Sequence, residues 1–238
     1  MFGRFLEISL DTADIAASVS FYERLGFTQL STGDTWGHPY GVLSDGRLCI
    51  GLHRRSGAAP MLSFVHPGLV RHVHTLREAG FESHYTRLGD SDFHELQLRD
   101  PAGQDIALLE ARTFSPPRHD IGVSLCGWFS AYSMPTLDAE AVQAYWERAG
   151  FVALESPDDP LSQFALTSDT LTLNVHRPRA LAAPALVFTD PDMARRIEHL
   201  TTLGFEGTAE LPRGLDRRAN ILIAAPEGTQ LLLLSAEG

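Results

Sequence analysis

Apolar and polar positions begin to alternate almost at the start of the chain. Residues 3–10 predict a strand with Leu6, Ile8 and Leu10 on one face and Glu7 and Ser9 on the other. A helical period runs through "DIAASVSFYERLG" and stops at Gly26, after which "FTQLST" and two strands joined at "SDG" by a hairpin-type turn follow. From Met61 the order restarts: strand "MLSFV", helix "GLVRHVHTLREAG" stopped by Gly80, then strands around "FESHYTR", "FHELQLR" and "QDIALLE". In "DPAGQDIALLE", Asp100 to Glu110, a tight turn feeds a strand with Ile106 and Leu108 on one face and Asp105, Ala107 and Leu109 on the other. If that second face lines a pocket, Ala107 stands where a functional group could have been. If it faces core, its methyl carries no message.

The pattern then repeats as a whole. "SFYERLGF" (Ser20 to Phe27) returns as "AYWERAGF" (Ala144 to Phe151), shifted by 124 residues. In the same order, "SDGRLCIGLHRR" returns as "SDTLTLNVHRPR", and "DPAGQDIALL" as "APEGTQLLLL". Ordered echoes over such a span indicate two homologous domains, 1–117 and 118–238, with the linker near "TFSPPRHDIG". The expected class is α+β: four βαβββ modules making two tandem domains, with helices on one face of each mixed sheet and a cup on the other.

Composition narrows the function classes. Across 238 residues, 44% hydrophobic and 21% charged positions suit a globular chain with a real core. A formal charge of -11 argues against a general nucleic-acid or anionic-membrane binder, either of which needs a basic surface. Cys49 and Cys126 form no metal-type cluster, and a reduced thiol state is the simplest expectation. The start, "MFGRFLEISLD", has no signal-peptide pattern, and the apolar runs "ILIAAP" and "LLLL" are too short to span a bilayer. A cytoplasmic location, as a monomer or homodimer, is the expectation.

The element order, "SFYERLGF" and the "DPAGQDIALL" turn-strand together resemble the vicinal oxygen chelate superfamily: glyoxalases, extradiol dioxygenases, fosfomycin-resistance enzymes and bleomycin-binding proteins. The resemblance covers essentially the whole chain as two glyoxalase/bleomycin-resistance-like domains. It implies a fold that hosts many activities. In metal-dependent members it implies a divalent ion held by His, Gln or Glu from the first and last strands of paired modules. Carried over, those places are Glu7, a competent ligand, and Met61 and Ala107, which are not. The fourth falls near Gly51, with His53 two residues on and on the same face. In the second domain they are Ala131, Ala185 and Leu232, with Asn174 near the fourth and His176 echoing His53. An ion wants three or more converging N/O ligands, so no metal or other cofactor is expected, a divalent metal being the alternative. On this account Ala107 marks a missing ligand; a strand register misplaced by two is the competing explanation.

The remaining candidates are of mixed value. "STGDTWGHPYG" places Trp36, His38 and Tyr40 in a Gly-containing connection at the mouth of the first cup, either as a surface for planar ligands or as a loop pinned by one buried Trp. Its counterpart "SPDDPLSQF" lacks the Trp, so one domain is expected to hold ligand and the other to support it. The repeated His53 and His176 are either rim hydrogen-bonding groups or strand-end residues. His66, His72, His74, His84, His94, His119 and His199 are scattered and favour surface or structural roles. Arg213, Arg217 and Arg218 in "ELPRGLDRRAN" favour a solvated turn over a carboxylate or phosphate site.

Two functions follow. The first is metal-independent binding of a small, aromatic or drug-like molecule, resembling the antibiotic-sequestering members. Its contacts would come from Glu7, Ser9, Trp36, His38, Tyr40, Gly51, His53, Met61 and Ala107. The second is a glyoxalase- or dioxygenase-like enzyme, a lyase, isomerase or oxygenase, with Glu7 as metal ligand or catalytic general base. A tandem domain used for protein contact is a third, which a shallow, filled cup would favour.

Overall fold

A computed structural model describes residues 1–32, 37–55, 60–89, 93–110, 122–154, 161–208 and 210–236. The domain boundary expected at 117/118 lies outside the described residues. The first half contains β1 (Arg4–Asp11), α1 (Ile15–Arg24), β2 (Thr28–Leu30), β3 (Tyr40–Ser44) and β4 (Cys49–His53). It continues with β5 (Met61–Val65), α2 (Leu69–Glu78), β6 (Ser83–Arg87), β7 (Glu95–Arg99) and β8 (Asp105–Leu109). These make one eight-stranded sheet in the order β2-β3-β4-β1-β5-β8-β7-β6. Within it β1 is parallel to β4 and β5 to β8, and the two modules meet through antiparallel β1 and β5.

The second half repeats this with β9 (Trp128–Pro135), α3 (Ala139–Ala149), β10 (Val152–Leu154), β11 (Phe164–Thr167), β12 (Thr172–His176), β13 (Ala185–Asp190), α4 (Met193–Thr202), β14 (Ile221–Ala224) and β15 (Gln230–Ser235). Its order is β10-β11-β12-β9-β13-β15-β14, seven strands. Among the described residues the fourth module is therefore one strand short of the expected pattern. The described residues between α4 and β14 carry turns, and Thr208 N–H to Leu222 O at 2.7 Å is their tie to β14. Pro212 lacks an amide donor and Gly214 is left-handed at φ 97°, which suits a turn rather than a strand. Leu211 and Leu215 fold inward from this segment.

Helix ends follow the sequence signals. Asp14 and Asp138 cap α1 and α3 by accepting from Ala17 N and Ala141 N at 3.1 and 3.0 Å. Gly26 and Gly80 take φ of 90° and 80°, the left-handed conformation that ends a helix without steric cost.

One face assignment is corrected. Phe5 lies opposite Phe64 but Glu7 lies opposite Ser63, so Leu6 is an extra residue in a β-bulge. Leu6 therefore leaves Ile8 and Leu10, which pack toward the helices, and joins the cup-side cluster of Val65, Ala107 and Leu109. The same slip recurs in β9, where Ala131 faces Val187 and Phe129 faces Phe188.

The helix-side faces of both sheets feed a single core. Ile8, Ile50, Leu62, Ile106, Tyr22 and Leu76 of the first half are continuous with Tyr132, Trp146, Leu173, Phe188, Leu200 and Leu231 of the second. Phe2 bridges the halves, with its ring 5.8 Å from Phe64 and 5.8 Å from Trp146. Among the described residues no helix is long and apolar enough to cross a membrane.

Candidate functional site

The cup face of the first sheet carries a connected set of polar side chains. The alternation that points Ile8 and Leu10 at the helices points Glu7 and Ser9 the other way. Glu7 is 2% exposed, and its carboxylate accepts from Tyr40 Oη at 2.6 Å and Ser9 Oγ at 2.9 Å. Ser9 Oγ is 2.8 Å from Ser63 Oγ, so the Ser63 hydroxyl donates onward to Ser9. His53 Nε2 stands 3.5 Å from Glu7 Oε1, and His53 Nδ1 is 2.9 Å from His38 Nε2. The hydroxyls of Tyr40, Ser9 and Ser63 all donate toward Glu7, and His53 faces the carboxylate at ion-pair rather than hydrogen-bond range. Burial, then the nearby His53 and Arg55, holds the His38 pKa below the usual histidine value. Burial, then the Glu7 charge, raises the Tyr40 phenol and keeps it a donor.

Gly51 has a defined part in this arrangement. A Cβ there would lie 2.1 Å from Glu7 Oε1, so the carboxylate occupies the space a side chain would fill. Ser9, Gly51, Ser63 and Ala107 form a buried floor. Ala107 does face the cup, 1% exposed, and packs with Val65, Leu109, Leu6, Met61 and Phe93. The half-buried tier above is His38, Tyr40, Met61, Phe93 and Gln97. Trp36 lies outside the described residues. Ser63 escaped the sequence reading; its signal is a polar residue at an alternate position of the apolar "MLSFV", which lands opposite Glu7.

Of the other candidates, Glu95 alone among those described reaches the first cup face. His66 stacks on His72 with ring centroids 3.9 Å apart, and His74 pairs with Glu78 at 3.2 Å on an exposed helix face. His94 contacts Glu110, whereas Glu95, opposite Leu109 and so on the cup face, is buried and accepts from Arg87 at 3.0 Å and Gln97 at 2.8 Å. His119 lies outside the described residues. Arg213, Arg217 and Arg218 are exposed on their turn while Leu211 and Leu215 point inward.

The second cup is filled by its own chain. Ala131, Ala185, Val187, Leu222, Leu232 and Leu234 line it, and Leu181 and Leu211 pack onto them. Where the first sheet has Glu7 over Gly51, the second has Ala131 and Asn174, so the larger side chain has moved to the neighbouring strand. His176 is fully buried, with Nδ1 3.2 Å from Arg177 O.

A divalent ion does not fit the described donors. In the first cup Glu7 Oε1 and His53 Nε2 face each other, but Met61, Ala107 and Gly51 supply no third ligand, and His38 lies beyond the far nitrogen of His53. Among the described residues no group of three His, Cys, Asp or Glu side chains is placed to hold a metal. The corresponding second-cup positions Ala131, Ala185 and Leu232 sit inside the leucine cluster, and Asn174 is buried at the fourth.

No family model and no curated protein matches the chain. Its fold is similar to that of solved catechol and homoprotocatechuate 2,3-dioxygenases. A catechol 2,3-dioxygenase superposes with a TM-score of 0.58 at 14% identity, over 99% of this chain and 87% of that one. A variant of homoprotocatechuate 2,3-dioxygenase from Brevibacterium fuscum gives 0.63 at 17%, over 99% and 71%. The homoprotocatechuate 2,3-dioxygenase of Arthrobacter globiformis gives 0.61 at 16%, over 98% and 79%. At such identities the likeness concerns the fold, and function has to be argued from the site.

Proposed function

We propose that this protein binds a small amphipathic molecule, without a metal, at the first cup. The observation that carries this reading is the asymmetry between two cups built on one plan. The second is packed largely with leucine, alanine and valine beside buried Ser133, Asn174 and His176, whereas the first retains buried carboxylates, Glu7 held by Tyr40 and Ser9 with His53 facing it, and Glu95 paired with Arg87. A buried ionisable group costs stability unless well partnered, and such groups concentrate at functional sites. Beside it, Leu6, Met61 and Phe93 offer apolar surface for a ring or chain, and His38 and Tyr40 offer directional contacts. Reaching Glu7 requires the ligand to displace Tyr40, whose hydroxyl now fills that place. Sequestration of a drug-like compound is the form of binding this arrangement suits.

The test is a ligand-observed NMR screen of small aromatic amines, alcohols and acids against the whole chain. Hits should persist in EDTA and weaken at least tenfold in Tyr40→Ala and His38→Ala. Hits that need added metal, or that ignore both substitutions, contradict the reading.

A second reading is an enzyme of the same fold, supported by the dioxygenase neighbours. In it Glu7 is a metal-free general base, reprotonated through His53 and His38. Turnover of any hit that Glu7→Gln abolishes, with binding retained, would establish it over the first.

A further inference from the structure

The two motif families that repeat in the sequence meet across the domain boundary. The β7–β8 turn of the first domain places Asp100 Oδ2 2.9 Å from Trp146 Nε1 of α3, and Gln104 Oε1 2.7 Å from Tyr132 Oη of β9. Reciprocally, the β14–β15 turn of the second domain sends Glu227 to α1. Its Oε1 accepts from Tyr22 Oη at 2.6 Å and its Oε2 from Ser18 Oγ at 2.8 Å. Tyr22 and Trp146 occupy matching places in the two repeats.

The exchange is not symmetric in what lies behind it. Ser18 Oγ is 3.0 Å from Thr12 Oγ1, and since the Ser18 proton goes to Glu227, the Thr12 hydroxyl donates to Ser18. The backbone N–H of Thr12 donates in turn to His53 O at 2.8 Å, at the strand end that carries the cup histidine. Thr12 and Ser18 are both buried, so this path has little water to compete with it. In the second domain Thr136 N–H makes the equivalent bond to His176 O, but the place of Ser18 is taken by Val142. Among the described residues no hydroxyl there relays the partner domain's turn to the strand end. The polar path exists on the side of the polar cup and is missing on the side of the leucine-filled one.

We propose that Glu227 is a positioning residue for the first cup: through Ser18 and Thr12 the second domain fixes the strand end bearing His53. This rests on assigning the ligand site to the first cup, and it gives the filled second domain a role there. A carboxylate that anchors two donors from one helix holds α1 in place against β3 and β4, with which it packs. The strands so held are those of Tyr40 and His53.

The test uses the full chain labelled at histidine, reading the His38 and His53 imidazole cross-peaks by NMR. Glu227→Ala and Ser18→Ala should each displace the His53 peaks by more than a linewidth. Glu227→Gln, which keeps an acceptor in place, should restore them most of the way. Trp146→Phe, which breaks the reciprocal contact at Asp100, should lower thermal stability yet leave the His53 peaks where they are. Unmoved His53 peaks in Ser18→Ala and Glu227→Ala overturn the proposal. Equal displacement by Trp146→Phe also overturns it, because the contact would then be only structural. A cup that binds no ligand, with His53 still responding to Ser18→Ala, would remove the ligand reading and leave the coupling standing.

Discussion

Glu7 is the residue on which the account turns, and its environment makes a specific demand on Gly51. The carboxylate lies where a Cβ at Gly51 would be, so Gly51→Ala forces either strand displacement or a new rotamer for Glu7. Overpacking of this kind costs roughly 1–3 kcal/mol. Chemical denaturation should show that loss in Gly51→Ala and show most of it recovered in Glu7→Ala/Gly51→Ala, a strongly non-additive pair. Additive losses would mean that the two groups do not compete for one space. Glu7 was singled out through the resemblance, and Ser9 and His53 through alternation and repetition; the fold brings the three together. Ser63 was not, because its value depends on which strand lies beside β1, and that is decided by pairing rather than by local pattern. The role of Tyr40 was visible only as an aromatic near a mouth; its bond to Glu7 comes from the β3–β4–β1 order.

At the scale of elements, helices were the most readable parts, since cap residues, apolar period and stop glycines agree with one another. The β1 face was misread at Leu6, because one extra residue shifts the alternation and nothing local distinguishes a bulge from a regular strand. The fourth module was misread for a different reason. The repeat extends the full strand count to it, whereas its turn segment, read from its arginines as solvated, turns Leu211 and Leu215 inward onto the second cup. Leu211→Ala or Leu232→Ala should then cost about 2–5 kcal/mol in denaturant unfolding, as buried leucines do elsewhere. A loss well under 1 kcal/mol at both positions would mean that the second cup is loosely packed and open to a ligand after all. Helix α1 offers a smaller check: Asp14→Ala should cost about 1 kcal/mol through the lost cap.

At the scale of the whole molecule, the tandem repeat predicted two domains but not how they join. The apolar faces behind the two sheets are continuous, and the turn-to-helix exchange at Asp100 and Glu227 adds polar contacts in both directions. Two domains sharing a core should unfold together. Tryptophan fluorescence and far-UV circular dichroism should therefore give coincident single transitions; two resolved steps would contradict a shared core. The repeated turn and helix motifs carried the resemblance to the superfamily, and in the folded chain they serve the interface rather than the cup. That leucine fills one cup and a carboxylate network the other required the side chains in place.

The proposal that the first cup works without a metal is tested most directly by elemental analysis. Protein expressed with added zinc, manganese, nickel and iron, then desalted without chelator, should carry far less than one metal per chain, unchanged by Glu7→Ala. Near-stoichiometric metal that disappears in Glu7→Ala would contradict the account and make Glu7 a ligand of a metal centre.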